Sequence, residues 1–170
     1  VYSADLDNDG KLDVLFASQG GGPIAWHENL GNGSFSEQKV ITTETGAQSV
    51  RSADLDEDGD RDVLFAGGNV IAWHENEGNG TFSAQRTITS SIDGEAESVY
   101  ATDLDEDGDL DVLSVSSVIG SKIAWYENLG TGDFSDQKII TTEVDGGQSV
   151  YAADLDADGD QDILSASLRD

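Results

Sequence analysis

Asp5-Leu6-Asp7-Asn8-Asp9-Gly10-Lys11-Leu12-Asp13 is an acidic loop that the chain writes four times, again from Asp54, Asp103 and Asp154. Every copy has Asp at loop positions 1, 3, 5 and 9 and Gly at position 6. The candidate ligands are therefore Asp5, Asp7, Asp9 and Asp13; Asp54, Asp56, Asp58 and Asp62; Asp103, Asp105, Asp107 and Asp111; and Asp154, Asp156, Asp158 and Asp162. Calcium takes 6–8 oxygens at about 2.3–2.6 Å, and closely spaced Asp side chains plus a backbone carbonyl near position 7 supply most of such a shell. A solvated hairpin needs no such charge. Four carboxylates about 4–5 Å apart repel in six pairs, each costing about 1 kcal/mol even at the dielectric of water. The pattern predicts up to four Ca2+ ions, one per loop. Position 12 is Phe16, Phe65, Ser114 and Ser165 rather than a bidentate Glu, so the loop is not an EF-hand.

Short apolar, β-branched runs flank each loop, as in Ser149-Val150-Tyr151-Ala152-Ala153 before it and Asp162-Ile163-Leu164-Ser165-Ala166 after it. The loop therefore joins two adjacent strands. The loops start 49, 49 and 51 residues apart, and the rest of each repeat follows in register. A third strand reads Ile24-Ala25-Trp26-His27-Glu28-Asn29, recurring from Ile71 and Ile123, and a fourth follows Phe35, Phe82 and Phe134. Gly31-Asn32-Gly33 and its counterparts separate the last two strands with the residues a tight β-turn requires. Val63 and Phe65 point to one face of the second strand and Leu64 and Ala66 to the other, so both faces must be covered.

A four-stranded antiparallel unit covered on both faces by copies of itself describes a β-propeller blade; a linear solenoid of sheets satisfies the same pattern less commonly. The predicted fold is all-β, with about three and a half repeats in one repeat domain, 1–170. Blades fall at 1–45, 46–94 and 95–145, with a partial blade at 146–170. The expectation is a partial propeller, completed by missing flanking blades or by self-assembly, because an open strand edge is normally covered.

Here the chain resembles the FG-GAP/VCBS-type repeat of integrin-α-like propellers, in which an Asp-rich calcium loop joins the first two strands of each blade. The resemblance runs through the whole chain and implies a calcium role for the sixteen loop aspartates. No Phe-Gly precedes the loops, and Ala-Ser or Ala-Gly replaces Gly-Ala-Pro, which separates this chain from the integrin-like form. The Gly-Asn-Gly-Ser-Phe turn is closer to the VCBS variety of secreted and surface proteins.

The formal net charge of −27 would still be −19 with four divalent ions bound, which disfavours nucleic acid and anionic membranes as partners. No apolar run is long enough for a membrane-spanning helix. Without Cys there is no disulfide, zinc-thiolate site or thiol nucleophile. Weak all-Asp sites fill where calcium is near millimolar, which predicts an extracellular or cell-surface (secreted) setting.

Trp26, Trp73 and Trp125 are expected to pack between blades, and His27 and His74, replaced by Tyr126 in the third repeat, to lie at the rim. The Glu-Asn pairs at 28–29, 75–76 and 127–128 are expected to satisfy backbone groups at the strand end. Asn32 and Asn79 match the N-glycosylation pattern but are explained by their turns. No nucleophile-base pair stands out, and a constellation repeated in every blade does not suit one asymmetric active site, so the chain is read as no enzyme. The leading expectation is a calcium-binding extracellular adhesion and recognition scaffold with a protein or glycan ligand. A carbohydrate-binding, lectin-like propeller and a structural subunit of an extracellular assembly or fibre are the alternatives.

Overall fold

The computed structural model describes residues 1–18, 20–43, 46–117 and 120–169. The expected blade limits at residues 45 and 170 lie outside the described residues.

The first sheet holds β1 (Tyr2–Ala4), β2 (Asp13–Ala17) and β3 (Ile24–His27); a small hairpin of β4 (Asn29–Gly31) and β5 (Ser34–Phe35) follows as a separate two-stranded sheet, and β6 (Lys39–Thr42) returns to pair with β3 as the outer strand of the first. The second sheet is β7 (Ser49–Ala53), β8 (Asp62–Gly67), β9 (Val70–His74) and β10 (Arg86–Thr89). The third is β11 (Glu95–Thr102), β12 (Asp111–Ser117), β13 (Ile123–Tyr126) and β14 (Lys138–Thr141). The last pairs β15 (Asp145–Ala153) with β16 (Asp162–Arg169). Each of the first three is an antiparallel meander, as expected of a blade. The turn hairpin shrinks to single bridges, Asn76 with Phe82 and Asn128 with Phe134, in the second and third blades.

Alternate residues of one strand enter different cores. Val63 and Phe65 of β8 join Leu6, Leu15, Ile24, Trp26 and Val50 between the first and second blades. Leu64 and Ala66 join Leu55, Ile71, Trp73, Val99, Val112 and Tyr126 between the second and third. A third core, with Leu113, Val115, Ile123, Val150 and Ala152, lies between β11–β14 and the final pair. The chain thus has no single centre; its hydrophobic free energy is stored at the junctions, as in quasi-one-dimensional repeat proteins.

Loop position 2 records this. Leu6 and Leu55 are 0% exposed beneath the following blade, whereas Leu155, with no described blade after it, is 63% exposed. Trp26 and Trp73 are buried, and their ring edges meet Gly80 and Gly132 in the turn of the next blade. A Cβ on either glycine would overlap the indole, and both have positive φ (71° and 73°), so Trp26 and Trp73 pack between blades as expected, while Trp125 is only half-buried against the third core.

Candidate metal centre

Each loop leaves the first strand of its blade and enters the second at the position-9 aspartate. That aspartate ties three segments together. Asp62 Oδ2 accepts the Leu55 N–H at 2.8 Å and its Oδ1 accepts the Asn76 N–H at 2.8 Å, joining the start of the loop to the end of the third strand. Asp13 does the same with Leu6 and Asn29, and Asp111 with Leu104 and Asn128. Asp13, Asp62 and Asp111 are fully buried. In the fourth loop Asp162 holds Leu155 N at 2.9 Å.

The loop is then wound by its other aspartates. The position-6 Gly N–H is donated to the position-1 carboxylate, at 2.8 Å for Gly10 to Asp5 and 3.1 Å for Gly59 to Asp54, Gly108 to Asp103 and Gly159 to Asp154. Position 5 accepts the N–H of position 7, as Asp58 does from Asp60 at 2.8 Å. This winding drives position 4 into the left-handed region, with φ of 60° at Asn8, 62° at Glu57, 63° at Glu106 and 64° at Ala157. Asn adopts that conformation readily; Glu and Ala do so only under constraint. The constraint is the same in all four copies.

The carboxylates converge. Oxygens of Asp5, Asp7 and Asp13 lie within 4.8 Å of one another, as do those of Asp54, Asp56 and Asp58, and of Asp103, Asp105 and Asp111. Asp9 joins a group with Asp7 and Glu28, and Asp107 one with Asp105 and Glu127. In the fourth loop Asp154, Asp156 and Asp158 are exposed; Asp154 still accepts the Gly159 N–H and Asp158 the Asp160 N–H, as in the other copies, and Asp154 also accepts the Ala157 N–H at 2.7 Å.

Four carboxylate oxygens at positions 1 and 3, Asp7 Oδ1, Asp54 Oδ1, Asp56 Oδ1 and Asp103 Oδ1, are buried with no hydrogen-bond partner. A buried charged acceptor without a partner carries its full desolvation penalty. These atoms fit a hard cation: they are anionic oxygens, and their free lone pairs have no donor to satisfy them.

The titration behaviour has the same origin. Burial, then neighbouring carboxylates, hold Asp7, Asp56 and Asp105 above the usual carboxylate range. Burial pushes Asp62 up to about 7 and Asp111 to about 6, against the lowering effect of their two backbone hydrogen bonds. Asp9 is instead lowered, chiefly by its hydrogen bond with Lys11. A divalent ion would remove the repulsion between the loop carboxylates.

Two expectations for the third strand are corrected. His74 does not lie at the rim: it is buried, stacked on Phe65 with ring centroids 5.7 Å apart, and its Nδ1 meets the Ser83 carbonyl oxygen at 3.0 Å. The alternation of the strand turns it into the junction, and burial lowers its pKa. In the Glu-Asn pairs it is the Asn side chain, among the described residues, that serves the backbone. Asn76 Nδ2 donates to Leu6 O of the preceding blade at 2.9 Å and to Arg61 O at 3.0 Å, and Asn128 Nδ2 reaches Leu55 O at 2.8 Å. The glutamates instead face the loops and pair with Lys39, Arg86 and Lys138. Their recurrence after each Trp was visible in the sequence, but nothing there placed them beside the loop.

The FG-GAP-like repeat family matches residues 5–65, 54–114 and 104–165. No curated protein matches the chain. Among solved structures it is similar to one titled as the structural basis of specific recognition of non-reducing terminal N-acetylglucosamine by an Agrocybe aegerita lectin. The TM-score is 0.65 at 21% identity, over 96% of this chain and 45% of that one. The chain therefore spans less than half the length of that structure. With three overlapping matches reaching from the first loop to the last, the chain belongs to the FG-GAP-like repeat family.

Proposed function

We propose that this chain is a calcium-binding segment of an extracellular β-propeller, acting as an adhesion and recognition scaffold rather than as an enzyme. The observation that carries the calcium reading is the set of orphaned, buried carboxylate oxygens of Asp7, Asp54, Asp56 and Asp103 inside wound, converging loops. The position 1, 3, 5 and 9 aspartates of each loop would hold the ion. Its contribution is charge neutralisation that lets those carboxylates stay ionised while buried.

The setting follows from the affinity of such sites. At about 1 mM calcium and a site constant near 0.1 mM, each ion would stabilise the fold by roughly 1.4 kcal/mol, so four would add about 5–6 kcal/mol. That rivals the net stability of an ordinary domain. Cytosolic calcium would leave such loops unfilled, so the reading places the protein outside the cell.

The experiment is a thermal melt in calcium, in magnesium alone and in chelator, with calorimetric counting of bound ions. A calcium-specific rise in Tm with three or four ions bound is the expected result. Equal Tm in all three would overturn the reading.

Glycan recognition is the second reading, favoured by the likeness to a propeller titled for N-acetylglucosamine recognition. In this chain Trp26 and Trp73 already pack under Gly80 and Gly132, so a sugar would need other surfaces of the blades. Retention on a broad glycan set, including immobilised N-acetylglucosamine, with calcium present, supports this reading. No retention on any of them removes it.

A further inference from the structure

Resting on the calcium reading, we propose that Glu28, Glu75 and Glu127 are additional oxygen ligands of the loop cations and, through Lys39, Arg86 and Lys138, connect each cation to the packing of its blade against the next. The family pattern of loop aspartates does not include them, since they stand at the end of the third strand.

A carboxylate oxygen of Glu28 lies within 4.8 Å of oxygens of Asp7 and Asp9, and one of Glu127 equally near Asp105 and Asp107. Oxygens bound at about 2.4 Å to one calcium ion are at most about 4.8 Å apart, so each of these groups fits within a single coordination shell. Glu75 holds the same repeat position in the second blade, two residues after Trp73 and directly after β9. The loop offers four Asp side chains and a carbonyl, while calcium takes 6–8 oxygens, so the added carboxylate answers a shortage of ligands.

The same glutamates carry a second partner. Glu28 Oε2 is 2.7 Å from Lys39 Nζ, and that ammonium lies 4.4 Å from the Trp26 ring centroid. Glu75 pairs with Arg86 at 3.2 Å, and Arg86 lies 4.4 Å over Trp73. Glu127 pairs with Lys138 at 2.6 Å, and Lys138 lies 4.2 Å over Trp125. Cations within about 6 Å of a ring centroid are attracted to its face. Trp26 and Trp73 rest on the turns of the following blades, and Arg86 also donates to Thr131 O at 3.2 Å across that junction. A carboxylate has about four lone-pair sites, enough for both an ion and an ammonium. In the first two blades the line from loop to neighbour is cation, glutamate, Lys or Arg, indole, glycine turn; in the third it ends at Trp125, packed against the core shared with the final strand pair.

The test compares two triple variants of the chain by calcium titration in a calorimeter and by tryptophan fluorescence. E28Q/E75Q/E127Q should bind calcium about 10–100-fold more weakly, the range for altered groups that support metal sites, with the ion count unchanged and the calcium-induced fluorescence change lost. K39M/R86M/K138M should bind equally or more tightly, because it removes positive charge beside the site and leaves the glutamates in place. Opposite signs support the proposal. Affinity of the Gln variant within twofold of the parent, or the same weakening in both variants, overturns it, the latter meaning that the glutamates act only through packing. Absence of calcium binding by the parent is a separate outcome, which overturns the underlying calcium reading and the ligand role with it. Melts in chelator check that the variants fold; should a triple variant not fold, E28Q against K39M and E127Q against K138M give the same comparison.

Discussion

Removing Asn76 tests the inter-blade bonding most directly. Its side chain is fully buried and makes three hydrogen bonds: Nδ2 to Leu6 O of the preceding blade at 2.9 Å, Nδ2 to Arg61 O at 3.0 Å, and Oδ1 from Gly78 N at 3.2 Å. Asn76→Ala leaves the Leu6 and Arg61 carbonyls without this donor. Each buried polar group deprived of its partner costs about 1–3 kcal/mol, so the expected loss is roughly 3–5 kcal/mol once the partly buried Gly78 bond is included. Asn29 is the internal control. It occupies the same repeat position but is only half-buried, donates to Leu12 O of its own blade at 3.0 Å and accepts from Gly31 N at 3.0 Å. With no inter-blade bond among the described residues, Asn29→Ala should lose only about 1–2 kcal/mol. Urea unfolding of both variants at fixed calcium, with m-values compared, measures the difference. About 2–3 kcal/mol separates them, or roughly 4–12 °C in Tm for a chain of this size. Losses within 0.5 kcal/mol of each other, at equal m, would show that the crossing bond contributes nothing and refute the reasoning.

The raised Asp62 and Asp111 make the chelated protein sensitive to pH. Their folded pKa values, about 7 and about 6, lie above the unfolded value, so the native state holds protons that the unfolded chain has released. Stability in chelator should therefore fall as pH rises from about 4 to 7, by up to about 4 kcal/mol from Asp62 and about 3 kcal/mol from Asp111, and Asp62→Asn should remove the Asp62 share of the slope and leave that of Asp111. Melts in chelator from pH 4 to 8 check this, and a rising or level trend contradicts it. Gly80→Ala forces a Cβ into the Trp26 ring at a positive φ, while Gly33→Ala meets nothing within 4 Å. The first should cost about 2–4 kcal/mol and the second about 1 kcal/mol, read from denaturation midpoints. Leu55→Ala should cost about 2–5 kcal/mol and Leu155→Ala less than about 0.5 kcal/mol, since one side chain is enclosed by the next blade and the other is 63% exposed.

The blades were legible because a period near 49 residues carries strand alternation with it: once Val63 and Phe65 oppose Leu64 and Ala66, both faces need partners. The loops were legible because Asp at positions 1, 3, 5 and 9 has little use in a plain turn. Spacing along the chain does not say which repeated residues meet across a junction. Asn76 bonds Leu6 and Asn128 bonds Leu55, contacts between adjacent repeats that no local pattern marks. His74 was misplaced because the change from His to Tyr at residue 126 suggested freedom, whereas both types fill the same junction space with a ring and a polar tip. Glu28 was misread because it is brought to the loop by the pairing of β2 with β3 and not by its sequence neighbours.

The junctions also have a direction. The first and second blades each offer an indole and a leucine carbonyl to their successor and receive an asparagine amide and a glycine turn in return, so the two sides of a blade are unlike and complementary. Such heterologous contacts repeat without limit unless the rotation between units closes them. Gaining or losing a whole repeat therefore leaves every remaining junction chemically intact. The chemistry of the chain does not count its blades; the angle between neighbours does, and a genome can lengthen or shorten such an array by duplication without redesigning any interface.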